Sequence, residues 1–174
     1  MRLLIFVLLI SLFSFDVLAE KTLIKASDLP NYSKIYSVKS DPFNDATAAI
    51  ALAKKTHRNV LIEIGGNWCG WCKRMDAFLE KNPTVYQALH NKFVLLKINV
   101  SDENENTAFM SALPPVLGYP HMYVSTGTGK MLVSKDTAEL QLNGQYNAKI
   151  WLQFLTKWQA QTKDKNTNII ALTQ

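Results

Sequence analysis

Val60-Leu61-Ile62-Glu63-Ile64-Gly65-Gly66-Asn67-Trp68-Cys69-Gly70-Trp71-Cys72-Lys73 joins a short β-branched apolar run to a glycine break and then to two cysteines. The run reads as a buried central strand. Gly65-Gly66-Asn67 breaks it, and a helix is predicted from about Cys69 through Lys81. These are the only two cysteines among 174 residues, so any disulfide within the chain must use them. Spacing alone would also fit half a zinc site, a structural staple or chance. The setting favours redox chemistry. At a helix start, unpaired amide N–H groups and the helix dipole favour a thiolate, which is the attacking form of cysteine. Cys69 is the expected nucleophile. Cys72, one turn further in and more buried, is the expected resolving thiol, and the pair would form a reversible two-electron couple.

The neighbours of the pair carry further expectations. Lys73 adds positive charge and is either a tuning residue or a solvated surface lysine. Trp68 and Trp71 flank the nucleophile as candidate contacts for an unfolded or loop client, or else pack on the domain. Glu63 is the odd residue in its strand, six positions before Cys69. Buried there, its carboxyl would have a raised pKa and could accept the proton of Cys72. The other readings place it on a solvent-facing edge or pair it with Lys97, which interrupts the next strand in the same way.

Working outward, Asp45 is a candidate cap for a helix over 46–56, with Ala46, Ala49, Ile50 and Ala53 as its apolar stripe. Pro83 ends the cysteine helix and a short helix follows over 84–91. Phe93 to Val100 is a second strand, and Asn104 to Leu113 a helix that Pro114-Pro115 stop. His121 to Ser125 and Met131 to Ser134 flank Gly127-Thr128-Gly129-Lys130 as a hairpin. Ala148 to about Lys163 is amphipathic, with Ile150, Trp151, Phe154, Leu155 and Trp158 on one side. Helical crossovers permit parallel strands and the hairpin adds an antiparallel pair, so the fold class is α/β, a central mixed sheet with helices on both faces.

Residues 1–19 read as a signal peptide: Arg2, an apolar run from Leu3 to Ile10 continuing through Leu12 and Phe13, and small residues at Val17-Leu18-Ala19. The run falls short of the roughly 20 residues a membrane span needs. Residues 20–42 are polar and aperiodic, an N-terminal extension that wraps or pairs weakly with a domain over 43–165; 166–174 form a C-terminal tail. Export makes disulfide chemistry permissible. The net charge of +5 is spread along the chain without an arginine-rich stripe, so nucleic acid is not an expected partner. No cofactor is expected. Two cysteines and three scattered histidines fall short of the usual four zinc ligands, leaving only a conceivable Cys69/Cys72/His121 copper or zinc site.

Gly65-Gly66-Asn67-Trp68-Cys69-Gly70-Trp71-Cys72, Glu63 upstream, Lys97 in the following strand and Gly118-Tyr119-Pro120 before the hairpin together resemble the thioredoxin superfamily over roughly 43–160. More narrowly, they resemble exported thioredoxin-like proteins with a Gly-Gly-x-Trp-Cys-x-Trp-Cys motif. The resemblance implies a thioredoxin-like fold and a cis Pro120 opposite the disulfide. It further implies that Tyr119 contacts the client backbone and that His121 lies near Cys69. Thioredoxin itself carries Gly-Pro where this chain has Gly70-Trp71, and aspartate where Glu63 stands, so its reductant role does not transfer. The expected activity is envelope thiol–disulfide exchange with disulfide-containing or dithiol exported proteins, with a preference for the reductase or isomerase direction. Expected partners include a membrane electron-transfer protein that recharges the pair, and the chain is expected to be a periplasmic monomer. The alternative is a non-enzymatic module that binds exported proteins or a copper or zinc ion through the same face.

Overall fold

The computed structural model describes residues 23–161; the expected leader over 1–19 and tail over 166–174 lie outside the described residues. Along the chain, α1 (Pro42–Lys55) is followed by β1 (Asn59–Gly65), α2 (Gly70–Lys81), α3 (Pro83–Lys92) and β2 (Phe93–Asn99). A single turn α4 (Thr107–Met110) then leads to β3 (His121–Ser125) and β4 (Met131–Asp136). A small hairpin of β5 (Gln141–Leu142) and β6 (Gln145–Tyr146) precedes α5 (Ala148–Trp158). The main sheet has the order β2-β1-β3-β4, parallel between β1 and β2 and antiparallel across the other two pairs. The chain therefore has the expected thioredoxin-like α/β fold.

Side-chain alternation along the strands divides the core in two. Leu61, Leu95, Met122 and Val124 point to the face covered by α2, α3 and α5, where Trp151, Phe154 and Leu155 supply the bulk. Val60, Ile62, Ile64, Leu96 and Tyr123 point to the face covered by α1 and α4. Glu63 and Lys97 are register partners, and Glu63 also faces Met122 across β3, so both polar residues belong to the α2 face. That placement brings them toward the cysteine helix.

The segment before α1 is tied down at several points despite its lack of periodicity. Gln87 exchanges hydrogen bonds with the backbone of Ile24, at 3.0 and 2.8 Å. Ser33 Oγ donates to the Leu95 carbonyl on edge strand β2, and Asn104 Nδ2 donates to the Val38 carbonyl. An edge strand exposes unpaired backbone groups, and this covering satisfies part of that edge.

Several expected boundaries move. The cap of α1 is Asp41, not Asp45: its carboxylate accepts from Phe43 N at 2.8 Å and Asn44 N at 3.3 Å. Pro42 occupies the first helical position, where its missing N–H costs nothing, so the helix starts earlier than its apolar stripe. The helix expected over 104–113 shrinks to α4. Asn106 before it is left-handed at φ 49°, and Ser101 and Asn104 pair backbone groups in a tight turn instead. The last helix ends at Trp158, after which Gln159 is extended. The β5–β6 hairpin was not anticipated, although Asn143-Gly144, at φ 52° and 74°, is the dipeptide such turns demand.

The cap assignment is tested by paired substitutions. Asp41→Ala should lower the unfolding free energy by about 1 kcal/mol. Asp45→Ala removes only a charge near the helix N-terminus and should cost about 0.3–0.5 kcal/mol. Urea unfolding of both variants separates these values, and a larger loss for Asp45→Ala would contradict the assignment.

Candidate active site

β1 ends at Gly65 and the chain turns through Gly66 and Asn67 into α2. Cys69 is the N-cap of that helix, and its Sγ accepts the Cys72 N–H at 3.0 Å. The two cysteines are joined as a disulfide with their Cα atoms 5.3 Å apart. Cys69 is the more exposed of the two, at 3% against 1% for Cys72. Both glycines are required by what lies beside them. A Cβ on Gly65 would stand 2.6 Å from Cys72 Sγ and 2.7 Å from Tyr36 Oη. One on Gly66 would run into the Trp68 indole, whose Nε1 donates to the Val100 carbonyl at 2.7 Å.

The structure brings most of the expected site residues to this point. The Tyr119–Pro120 bond is cis, and the Tyr119 ring packs against the cluster of Tyr36, Cys69 and Cys72. Trp68 is 56% exposed and meets Tyr119 edge-on at 5.2 Å. Trp71 is also exposed, packs edge-on against Tyr146 and carries the Arg74 guanidinium 4.5 Å over its ring. Beside Trp68 and Tyr119 opens a groove of about 950 Å³, lined by apolar Met110, Leu113 and Val116 and by acidic Asp102, Glu103 and Glu105.

Two expected residues stand elsewhere. Lys73 is an exposed residue of α2. His121 pairs with Ile64 and so belongs to the α1 face, opposite to Glu63; its Nε2 is hydrogen-bonded to Ser134 Oγ at 2.8 Å. Burial lowers the His121 pKa, which favours the neutral ring. Among the described residues no group of three or more His, Cys, Asp or Glu side chains is arranged to hold a metal ion.

Glu63 is 1% exposed on a central strand, which removes the solvent-facing reading. Lys97 does not form its ion pair with Glu63. Its Nζ lies 2.5 Å from Asp76 Oδ1 instead, while Tyr36 donates its hydroxyl hydrogen to Glu63 Oε1. Burial is the largest influence on Glu63 and pushes its carboxyl up to about 7. The Lys97 charge opposes that rise, Asp76 adds to it, and the bond from Tyr36 opposes it again. The Tyr36 hydroxyl itself is pushed well above its ordinary range, first by burial and then by the Glu63 charge.

Sequence reasoning passed over Tyr36 and Asp76. Asp76 follows Cys72 by four residues, so both lie on one face of α2, and helical spacing was a usable signal. Tyr36 offered none. It arrives from the aperiodic segment, held by Asn67 Nδ2 donating to its carbonyl at 3.1 Å, and is 4% exposed.

The state of Glu63 has a measurable consequence for stability. Its folded pKa of about 7 lies above the ordinary 4.5, so the folded protein holds the proton more tightly than the unfolded chain. The associated stability is fully present below about pH 4.5 and is lost as pH rises to about 7. Urea midpoints of the oxidised protein should therefore fall over that window relative to Glu63→Gln. A difference between the two that stays flat with pH would contradict a buried, proton-retaining carboxyl.

Comparison with known proteins agrees with this geometry. A family model described as thioredoxin-like matches residues 41–125. The chain is 32% identical over 77 residues to a protein disulfide-isomerase of Zea mays, covering 44% of this chain and 14% of that one. It is 26% identical over 110 residues to the thiol:disulfide interchange protein DsbD of Klebsiella pneumoniae subsp. pneumoniae, covering 63% of this chain and 17% of that one. The chain thus spans only a small part of the length of these curated relatives. The solved structure of a disulphide isomerase from Xylella fastidiosa Temecula1 superposes with a TM-score of 0.58 at 26% identity, over 74% of this chain and 95% of that one. With β1, the glycine turn, the Cys69–Cys72 pair and the cis proline all in place, the chain has a thioredoxin-superfamily fold with a CXXC disulfide.

Proposed function

We propose that the chain is a thiol–disulfide oxidoreductase of the bacterial envelope that exchanges disulfides with exported protein clients. The observation that carries this reading is the Cys69–Cys72 disulfide at the N-terminus of α2, set beside buried Glu63 and flanked by exposed aromatic rings. The names of the relatives, disulfide isomerase and disulfide interchange protein, support the same chemistry. The leader expected over 1–19 supports export.

In the reducing direction, the Cys69 thiolate attacks one sulfur of a client disulfide, and the other client sulfur leaves as a thiolate that takes up a proton. Cys72 then attacks Cys69 in the mixed disulfide. Its proton passes to the Glu63 carboxylate, the Cys69–Cys72 bond forms, and the second client sulfur leaves. Two electrons have moved from the pair to the client. A carboxyl with a pKa of about 7 exchanges protons near neutral pH, which suits it to both directions of this step. The Trp68–Tyr119 groove supplies the client surface: apolar contact for an unfolded segment, with the backbone next to cis Pro120.

A stabilised Cys69 thiolate would make the pair oxidising. Trp71, between the cysteines, supplies no hydrogen-bonding imidazole to do so, which favours a reductase or isomerase role. An exported reductant is cut off from cytoplasmic thiol pools, so a membrane electron-transfer protein is its proposed source of electrons.

Insulin reduction by the exported form of the chain tests the enzyme reading. Cys69→Ser should abolish turnover, and Cys72→Ser should accumulate covalent mixed disulfides with envelope proteins through Cys69. Equal turnover by wild type and Cys69→Ser, or no captured partner with Cys72→Ser, would sink it. A chain that only binds clients would retain their capture after both cysteines are replaced.

A further inference from the structure

Tyr36 is a buried polar residue at the site, 4% exposed, to which the exchange steps assign no role. Its hydroxyl donates to Glu63 Oε1, and its ring packs with Cys69 and Cys72. The point where a Gly65 Cβ would stand has three nearest neighbours: Cys72 Sγ at 2.6 Å, Tyr36 Oη at 2.7 Å and Tyr36 Cζ at 2.9 Å. The space over Gly65 is therefore shared by the resolving sulfur and the tyrosine hydroxyl. A hydroxyl both donates and accepts, and this one already donates to the carboxylate.

We propose that Tyr36 relays the resolving proton: its oxygen accepts the Cys72 S–H proton while its own O–H proton passes to Glu63 Oε1. This rests on the exchange reading above and supplies its missing link. In the step, the Cys72 S–H bond breaks and the Cys69–Cys72 bond forms. The mixed disulfide breaks, its client sulfur leaves as a thiolate, and Glu63 ends protonated. Tyr36 is a phenol before and after. No oxidant beyond the client disulfide is required.

The surroundings of Tyr36 suit a relay better than a permanent tyrosinate. The groups facing it are Glu63 from β1, Lys97 from β2, Cys72 and Asp76 from α2, Cys69 at the cap of that helix, Tyr119 before the cis proline, and Tyr146 from β6. Burial first, and then the two carboxylates and Tyr146, hold the phenol protonated, while Lys97 Nζ lies 5.0 Å over the ring. Near-complete burial also limits the water that would otherwise carry the proton.

Rapid mixing of the reduced full chain with dithiobis(nitrobenzoate) separates the two half-steps. Attack by Cys69 depends on reagent concentration; release of the second thionitrobenzoate by Cys72 does not. Tyr36→Phe keeps the ring and removes only the relay oxygen. It should slow the second release about a hundredfold near pH 7, the lower end of what a positioned proton-transfer group contributes. The deficit should shrink as pH passes the ordinary thiol pKa of about 8.5, where Cys72 ionises unaided. Tyr36→Phe combined with Glu63→Gln should be no slower than Glu63→Gln alone, because both break one path.

Wild-type release by Tyr36→Phe, a deficit independent of pH, or losses that multiply in the double variant would each overturn the relay. If Glu63→Gln alone is slow in that case, the role of Glu63 in exchange survives. If both single variants release at the wild-type rate, that role falls too. Should Tyr36→Phe fail to fold, 3-fluorotyrosine at position 36 retains the ring and the hydroxyl while changing its acidity. It should displace the pH profile of the second release, and an undisplaced profile would overturn the relay.

Discussion

Above Gly65 there is no room for even a methyl group. Cys72 Sγ and Tyr36 Oη each come within 2.7 Å of the position it would take. That crowding sets the order of everything nearby. The strand must end in residues without side chains so that sulfur, phenol and carboxyl can converge on its last turn. The same break turns the chain into α2 with Cys69 at the cap. There the pair gains the unpaired amides of a helix start, and Cys72 reaches inward toward the buried groups.

The electrostatics of the cluster follow from placing a carboxyl on a central strand. An isolated charge at that depth is costly, and protonation is the usual escape. Lys97 stands opposite Glu63 in register, yet its ammonium goes to half-exposed Asp76, leaving Glu63 influenced by the lysine without being neutralised by it. Had Lys97 closed on Glu63 directly, the carboxyl would sit lower and lose its value as a proton acceptor near neutral pH. Tyr36 completes the balance by donating its hydroxyl hydrogen to the carboxylate.

Much of this was legible in the sequence because it is local. The β-branched run before a double glycine, the cysteine spacing and the amphipathic last helix each obey a short-range rule, and together they specify a mixed sheet between helices. The cis bond before Pro120 was legible only through resemblance, since a proline at a strand start is permitted in either isomer. Asp45 stands next to the apolar stripe of α1, which begins after the first turn, whereas Pro42 marks where the helix begins and leaves Asp41 as its cap. Asn143-Gly144 was legible in its turn chemistry, but flanking strands of two residues each show no alternation. Tyr36 was out of reach: its partner Glu63 is 27 residues away, and the segment between them has no period linking the two.

The proposed chemistry requires Cys69 and Cys72 to form a reversible two-electron couple. Equilibration of the full chain with graded thiol–disulfide buffers, followed by thiol alkylation and mass measurement, tests it most directly. The expected result is a single transition between a species with both cysteines free and one with neither, the same when approached from either side. Across that transition the ratio of oxidised to reduced chain should change tenfold for about every 30 mV of buffer potential, as a two-electron exchange requires. A pair that stays oxidised throughout, or that once reduced does not close again, would be a structural staple and would contradict the claim.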